Sequence, residues 1–465
     1  MDMSHPADAA VIERRATPQV ASSAPSGPGL DVHELPTNWM DRALLTQTYP
    51  GRAMTTHHVL DVAVPFDRVH LRGAVDALVR SVPMLRSVVQ ESPFGVRRWA
   101  SAARWSPLDA LVGFSDIAID LSGSEWLDRA FDLASEEPFR VLHAPRLSGG
   151  YQLVFTLHHS VTDGVGALAL FGALLAHYAH LNGELDGERE DLPTLTSSRA
   201  RLRELLARRG TRFALSVLSD NVRRAGRFID RRASLLEREE APAGRLHYAV
   251  LDVPLSSWEG LKQRATALGC TRNDLMLAAL LRAGAAWRHD EGMPDEDFRA
   301  LLPVDLRREF GVGASLGNHF GVIEADFTPA EVATSVLPRV VAQRLRAERA
   351  PSRVLATPMA LAFLSALPPS MSRRLFRWLD ERRSSFMYSF LFSQIRVPEG
   401  LVVPASVRMS RIYCLSGLPR QPGIGLTATV LPGAVTVALA YTPPRLSSAG
   451  AERLLARFAA ALDEA

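Results

Sequence analysis

Residues 151–164 read YQLVFTLHHSVTDG, and the fold is best inferred outward from this stretch. The apolar run 151–157 predicts a short buried strand. The residues 165–181 that follow the stretch are almost all apolar or small, so they predict a packed helix. This helix is expected to end at the Asn-Gly pair 182–183. The stretch therefore predicts a strand, a short loop and a core helix.

Four residues of the loop carry chemistry. His158 and His159 lie where the strand leaves its sheet. A neutral imidazole there can take a proton from a hydroxyl or an amine, because its unperturbed pKa is about 6.5. Asp163 and Gly164 open the helix, where the positive end of the helix dipole favours a negative side chain. The loop therefore predicts general-base chemistry between a strand and a helix.

The pattern HHxxxDG, formed here by His158, His159, Asp163 and Gly164, resembles the signature of the acyltransferases related to chloramphenicol acetyltransferase. This superfamily includes nonribosomal-peptide condensation domains, plant BAHD acyltransferases, mycobacterial polyketide-associated acyltransferases and the wax ester synthase/diacylglycerol acyltransferases. The resemblance implies an α/β fold of mixed sheets covered by helices. It also implies two chloramphenicol acetyltransferase-like subdomains with an active-site tunnel between them.

Further segments resemble the same superfamily along most of the chain after residue 30. They are an opening helix at 35–45, a helix at 67–82 that runs into Pro-Met-Leu-Arg at 83–86, LLPVDLR at 301–307, LGNHFG at 316–321 and SFLFSQ at 389–394. The DFGWG motif of the plant BAHD enzymes is absent from the sequence, which argues against that branch.

The resemblance assigns roles to the motif residues. It implies that His159, the second histidine, is the general base and that His158 supports it. It implies that Asp163 forms a buried salt bridge with the arginine that follows Pro-Val, which is Arg307 here; Arg308 is the alternative if the register differs by one. A buried carboxylate needs such a partner on physical grounds as well. Gly164 would let another backbone, or substrate, approach closely, since glycine has no side chain.

Two substrate contacts follow from the resemblance in the second half of the chain. Asn318 and Gly321 would shape a loop beside the tunnel. Ser393 would contact the substrate or the oxyanion, although Gln394 stands where the family commonly has an asparagine. The second histidine pair, His57-His58, lies inside a strand pattern. Because strand side chains alternate between faces, we interpret both of these histidines as structural.

No metal and no bound cofactor are expected. His159 and Asp163 could contribute two metal ligands, but no third ligand lies near them in the sequence. The expected co-substrate is an acyl thioester, either acyl-CoA or a phosphopantetheinyl carrier protein. The two cysteines, Cys270 and Cys414, are too far apart in sequence for a CxxC motif, so a disulfide framework is excluded and a reducing cytoplasm fits.

Composition narrows the class of protein. The 465 residues are 47% hydrophobic and 22% charged, with a formal net charge of +3, as is typical of a globular protein. No stretch combines basic, RNP-type or zinc-finger features, so nucleic acid is not an expected partner. The helix at 165–181 is short for a membrane span and contains two histidines, which favours a core helix. We expect a cytoplasmic protein.

We predict four segments. They are a disordered tail at 1–29, an N-terminal subdomain at 30–185, an arginine-rich helical connector at 186–245 and a C-terminal subdomain at 246–465. The connector has two interpretations. It is either a solvated pair of crossover helices, or a basic surface that contacts anionic lipid or the phosphates of an acyl donor. The second interpretation would place the protein at the periphery of a membrane.

The sequence thus predicts an acyltransferase that moves an acyl group from a thioester to a hydroxyl or amine of a lipid or natural-product acceptor. Two alternatives stay open. One is a condensation-type enzyme whose donor is tethered to a separate carrier protein. The other is a non-catalytic relative that binds a ligand or a carrier, although such relatives usually lack the second histidine or the aspartate of the motif.

Overall fold

The computed structural model describes residues 32–464 except 36, 49–52, 94, 102–105, 186–197, 231–243, 314, 383–387, 399, 417–423 and 445. The predicted tail at 1–29 and the connector segments 186–197 and 231–243 lie outside the described residues. The strands are β1 (Val32–Leu35), β2 (Thr55–Val62), β3 (Ser87–Ser92), β4 (Gly95–Ser101), β5 (Val112–Phe114), β6 (Phe139–Pro145), β7 (Tyr151–His158), β8 (His247–Val253), β9 (Phe298–Asp305), β10 (Phe320–Phe327), β11 (Phe390–Arg396), β12 (Met409–Ser416), β13 (Ile424–Leu431) and β14 (Ala434–Tyr441).

The helices connect and cover these strands. They are α1 (Trp39–Thr46), α2 (Arg68–Ser81), α3 (Leu108–Leu111), α4 (Glu125–Asp128), α5 (Gly164–Leu181), α6 (Ser198–Arg209), α7 (Thr211–Asp230), α8 (Leu255–Leu268), α9 (Arg272–Asp290), α10 (Arg307–Phe310), α11 (Pro329–Val332), α12 (Leu337–Glu348), α13 (Pro351–Val354), α14 (Ala356–Leu364), α15 (Pro369–Arg382) and α16 (Ser448–Glu464). The predicted class, mixed sheets covered by helices in two subdomains, is confirmed.

The first subdomain is built on a sheet with the strand order β12-β2-β7-β6-β5. Helices α2 and α5 pack against each other and share a core with this sheet. The Asp67 side chain caps α2 by accepting a hydrogen bond from the His70 N–H at 2.8 Å. Leu71, Val75 and Leu78, at helical spacing, are fully buried. The helix predicted at 67–82 therefore forms where its apolar stripe and its cap require it.

The second subdomain is built on a sheet with the order β10-β9-β11-β13-β14-β8. Strand β11 runs parallel to both of its neighbours, and the remaining pairs are antiparallel. The sequence LTATVLPGAVTVALAY at 426–441 predicts a hairpin that turns at Pro432-Gly433, and the structure confirms it. Leu431 pairs with Ala434 across the two-residue turn, and Gly433 takes a φ of 82°. Helices α9 and α16 pack together in the core of this subdomain.

The two subdomains exchange elements. Strand β12 comes from the second half of the sequence but pairs along its whole length with β2 of the first sheet. Helix α1 comes from the first half, yet Trp39, Met40 and Leu44 belong to the core of the second subdomain. The α7 helix of the connector also packs there through the fully buried Val217. The sequence boundary at 246 is thus crossed by elements in both directions.

The start of α1 differs from the prediction, and α5 is buried as predicted. The opening helix predicted at 35–45 begins later, because Leu35 lies in β1 and pairs with Arg98. Asn38 and Asp41 form a capping box that starts α1 at Trp39. Helix α5 is the described helix that is long and apolar enough to span a membrane, and 67% of it is buried inside the protein.

We expect the first subdomain to be unstable without β12. A fragment of residues 1–245 leaves one edge of β2 unpaired, although all eight residues of β2 are buried in the whole chain, and such edges promote aggregation. Size-exclusion chromatography and thermal melts should show more aggregation and a lower melting temperature for this fragment than for the same fragment with 405–416 fused through a flexible linker. An equally well-behaved fragment without the added strand would contradict the exchange.

Candidate active site

A cavity of about 440 Å³ lies between the subdomains, next to the histidine motif. This volume is in the range of small-molecule sites. Its wall takes His159, Asp163 and Gly164 from the first subdomain and Ser393 from the second. Much of the remaining wall is apolar and includes Met40, Leu44, Phe320, Val322, Leu361 and Leu391. The sequence-predicted residues from the two halves are therefore brought to one space.

His159 is held by contacts on both its backbone and its ring. Its N–H donates to the Met54 carbonyl at 2.7 Å. Its Nδ1 lies 3.2 Å from Oδ1 of Asn318. The Asn318 amide NH₂ donates to Oδ1 of Asp41 and to the His159 carbonyl, each at 2.9 Å. These two acceptors orient the amide so that its oxygen faces the ring, which places the ring proton on Nδ1 and leaves the lone pair on Nε2.

The electrostatic surroundings keep His159 neutral. Burial lowers its pKa, because removing water disfavours the charged imidazolium. Hydrogen bonds to its own backbone and to Asn318, together with the charge of Asp163, oppose this effect without cancelling it. The result is a neutral ring with an available nitrogen at the wall of the cavity, which is the form that a general base requires.

His158 faces the other way and is fully buried. The Ser160 N–H donates to its Nδ1 at 3.1 Å, so its proton lies on Nε2. That Nε2 is 2.9 Å from the Thr48 hydroxyl, and the Ser160 hydroxyl accepts a hydrogen bond from the buried Arg98. Burial and the charge of Arg98 lower the pKa of His158 well below its usual value. His158 is not among the residues that line the cavity, and its contacts hold the end of β7 in place.

Asp163 and Arg307 form the predicted salt bridge. Arg307 Nη2 lies 2.8 Å from Asp163 Oδ1, and Nη1 lies 3.0 Å from Oδ2. This is a bidentate pair whose side chains are only 8% and 7% exposed. Asp163 also caps α5 by accepting from the Gly166 N–H, and it accepts from the His319 N–H. Arg307 is thus the arginine of the pair, while Arg308 is exposed.

The loop that carries Asn318 is clamped to the motif. The Thr162 hydroxyl donates to the Gly317 carbonyl and accepts from the Gly317 N–H, each at 3.1 Å. Gly317 has a φ of 108°, which glycine adopts without strain. A Cβ at Gly166 would lie 1.9 Å from the Thr162 hydroxyl oxygen, so the small residue is needed for this contact. The clamp sets the distance between Asn318 and His159.

Two further predicted residues lie on the cavity wall. Gly164 is the first residue of α5, so the positive end of the helix dipole points toward this wall. A Cβ at Gly164 would lie 2.9 Å from the Cδ1 of Ile395 on β11, which shows how closely the two subdomains approach here. Ser393 lies on β11, two residues before Ile395, and lines the cavity.

Among known proteins, solved structures share the fold of this chain. No protein-family model and no curated protein matches the sequence. Among solved structures, the first condensation domain of the CDA synthetase superposes with a TM-score of 0.63 at 16% identity, over 93% of this chain and 96% of that chain. The chain has the condensation-domain fold. The resemblance predicted from the histidine motif is thus confirmed at the level of the fold.

Two further solved structures share the condensation-domain fold with this chain. Polyketide synthase associated protein 5 from Mycobacterium tuberculosis has a TM-score of 0.58 at 16% identity, over 91% of this chain and 95% of its own. A trichothecene 15-O-acetyltransferase from Fusarium sporotrichioides has a TM-score of 0.64 at 12% identity, over 93% and 96%. At these identities the likeness establishes the fold alone.

Sequence reasoning missed several residues that the condensation-domain fold brings to the site. Asp41 supports Asn318, and burial raises its pKa to about 6. Met54 lines the cavity and adopts a left-handed backbone (φ 48°), which is unusual for a side chain of this size. Thr56 and His58 also line the cavity, which strand alternation alone did not indicate for His58. The capping-box pattern Asn38–Asp41 was the one sequence signal for Asp41.

We expect the salt bridge to dominate the stability of the site. Arg307→Met leaves the buried Asp163 carboxylate without its partner and should cost about 3–5 kcal/mol in the free energy of unfolding. Arg308→Met is the matched control, because Arg308 is exposed, and it should change that free energy by less than about 0.5 kcal/mol. Urea unfolding of both variants at pH 7 measures the difference. Equal costs, or a neutral Arg307→Met, would contradict the assignment.

Proposed function

We propose that the protein transfers an acyl group from a thioester to a hydroxyl or an amine, with His159 as the general base. The observation that carries the proposal is the state of His159. Its ring is neutral, its tautomer is set by Asn318, and its Nε2 is available at a cavity lined by both subdomains. A neutral imidazole next to a mostly apolar cavity suits proton abstraction from an uncharged acceptor.

The proposed reaction has two steps. The acceptor O–H or N–H gives its proton to Nε2 of His159 while the acceptor atom bonds to the thioester carbonyl carbon, and the carbonyl becomes an oxyanion. The oxyanion then reforms the carbonyl and expels the thiolate, which receives the proton from His159. The oxyanion can be met by backbone N–H groups at the start of α5, where Gly164 lies, and by the Ser393 hydroxyl. A thioester is already activated, so no covalent enzyme intermediate is required.

The remaining predicted residues position this machinery. The Asp163–Arg307 pair holds the motif loop against the loop of Asn318. His158 anchors the end of β7. Within the described residues, no group of three or more His, Cys, Asp and Glu side chains could hold a metal ion. Every step of the proposal uses the chain's own side chains and backbone.

The donor and the acceptor are proposed in broader terms. The condensation domains with this fold belong to nonribosomal peptide synthetases, which supports an acyl or peptidyl carrier protein as one form of the donor. The trichothecene 15-O-acetyltransferase supports a small-molecule hydroxyl as the acceptor. The apolar cavity wall favours a lipid-like acyl chain or acceptor. Acyl-CoA is the alternative donor. We propose that the protein acts in the cytoplasm.

The connector offers a candidate surface for peripheral contact with a membrane or a carrier protein. Helix α7 buries Val217 against the second subdomain and exposes Leu215, Leu218 and Val222 on another side. Arg223, on the same helix, is 62% exposed and lies 3.2 Å from Asp220. This arrangement of apolar and charged side chains keeps the second interpretation of the connector open, alongside that of a crossover helix pair.

We expect His159→Ala to lose acyl transfer by about 10²- to 10⁴-fold, because a general base contributes about that much. The assay gives wild type and variant a mixed acyl-CoA pool with a total metabolite and lipid extract, and records thiol release and new acylated masses. His180→Ala, a change on the outer end of α5, is the control and should retain activity. An equally active His159→Ala would contradict the proposal. If the wild type forms no product from acyl-CoA, the same assay is repeated with acyl-loaded carrier proteins as donors.

The pH profile tests the state of His159 independently. Because its folded pKa is lowered, the base stays neutral below the ordinary pKa of 6.5, and activity should fall only at lower pH. Asn318→Ala removes a hydrogen bond that favours the protonated ring, so the acid limb of the kcat/KM profile should shift to lower pH. The variant should also lose kcat, because Asn318 no longer keeps the ring proton of His159 on Nδ1. Profiles of kcat and kcat/KM between roughly pH 4.5 and pH 8.5, on both sides of the usual histidine pKa, measure this. An acid limb above 6.5, or one that Asn318→Ala raises, would rule against His159.

A further inference from the structure

The first four residues of β2, Thr-Thr-His-His at 55–58, place the same two residue types on both faces of one strand. On one face, His57 Nε2 lies 3.2 Å from the Thr55 hydroxyl, and its Nδ1 lies 3.0 Å from the Thr156 hydroxyl of β7. Both ring nitrogens of His57 are therefore satisfied inside the protein. This face needs no ligand.

The other face is different. Thr56 and His58 line the same cavity as His159, and they are only 8% and 1% exposed. Within the described part of the chain, the Thr56 hydroxyl and His58 Nε2 have no hydrogen-bond partner. A buried polar atom without a partner is costly, so a ligand group that pairs with it would offset that cost. Here both residues belong to the wall of the cavity.

The chemistry of this pair is defined by Cys414 on the adjacent strand β12. Its Sγ lies 3.0 Å from Nδ1 of His58. Burial raises the pKa of this thiol to about 12, so the S–H is retained and can donate to Nδ1, which leaves the ring proton of His58 on Nε2. Burial, with a smaller effect of His159, lowers the pKa of His58 to about 3, so its ring is neutral. His58 therefore offers an N–H donor at Nε2, beside a hydroxyl that can donate or accept.

We propose that Thr56 and His58 form a second substrate subsite that binds an uncharged oxygen, either a hydroxyl or a carbonyl. The ligand oxygen accepts from His58 and exchanges a hydrogen bond with Thr56. It is uncharged because neither group carries a charge to compensate a buried ion. The subsite rests on the proposed function only in that it shares the cavity of His159. It would select substrates that carry an oxygen besides the reacting group.

The position of the subsite constrains the ligand. The His159 N–H donates a hydrogen bond to the Met54 carbonyl. Thr56 and His58 follow Met54 by two and four residues. At the rise of an extended strand they lie about 7 Å and about 13 Å from Met54 along the chain. The bound oxygen is thus several bonds from the reacting carbonyl. Two substrate parts have this chemistry: an amide of the donor's pantetheine arm, and a further hydroxyl of the acceptor.

Binding measurements with matched probes separate these sources. Calorimetric titrations of the full chain compare octane-1,2-diol with octan-1-ol, and S-octanoyl-N-acetylcysteamine with S-butyl octanethioate. In each pair only the first member has the additional uncharged oxygen function. We expect the wild type to prefer the first member of one pair by about tenfold, as for one or two hydrogen bonds. The pair that shows this preference identifies the acceptor or the donor as the source.

Variants on the two faces of β2 provide the control. Thr56→Val and His58→Leu should each reduce the preference several-fold, whereas His58→Gln should retain most of it, because the glutamine amide can donate from near the position of Nε2. Thr55→Val, on the opposite face, should leave the preference unchanged. Melting temperatures confirm that each variant is folded, and the ratio of two dissociation constants is insensitive to a general loss of stability.

Two results would overturn the subsite. One is an equal affinity of the wild type for both members of both pairs. The other is a preference that survives Thr56→Val and His58→Leu, or that Thr55→Val removes equally well. Binding requires no turnover, so this outcome is independent of whether His159 catalyses acyl transfer. A chain that binds with the expected preference but transfers no acyl group would refute the proposed function and leave the subsite standing.

Discussion

The bidentate pair between Asp163 and Arg307 is the interaction on which the site depends. It joins residues 144 positions apart in the sequence and lies almost wholly out of solvent. A buried ion pair adds little net stability compared with apolar packing, but removing one partner is costly. The pair is therefore best understood as a device that fixes position. Asp163 also caps α5 and accepts the His319 N–H, so one carboxylate aligns a helix start and a loop from the other half.

The contacts of Asp163 also determine how His159 is held. The loop held by Asp163 and Thr162 carries Asn318, whose amide is oriented by Asp41 of α1 and by the backbone of His159. Three distant segments therefore decide which ring nitrogen of His159 bears the proton. Burial keeps that ring neutral, and the hydrogen bond from Nδ1 keeps the second nitrogen available. Positioning and electrostatics act together, and neither comes from the histidine motif alone.

The exchange of α1 and β12 between the subdomains has a functional meaning. Helix α1 lies in the core of the second subdomain yet supplies Asp41 to the site, and β12 completes the first sheet while placing Cys414 beside His58. The cavity between the sheets is therefore built by elements that tie the halves together. On the same wall, the Thr56 hydroxyl and Nε2 of His58 have no hydrogen-bond partner within the described chain, a local cost that binding of a polar substrate group would offset.

The sequence by itself determined the local elements and the identity of the central motif. The apolar periodicity at 67–82 and 165–181, the turn at Pro432-Gly433 and the spacing of HHxxxDG act over short distances, so they are readable from neighbouring residues. Only the tertiary structure decided that His58 faces the cavity, that Asp41 supports Asn318 and that β12 joins the first sheet. Strand alternation predicts that His57 and His58 face opposite sides of the sheet. Which of the two sides borders a cavity depends on long-range packing. Contacts between segments hundreds of residues apart leave no periodic signal in one chain.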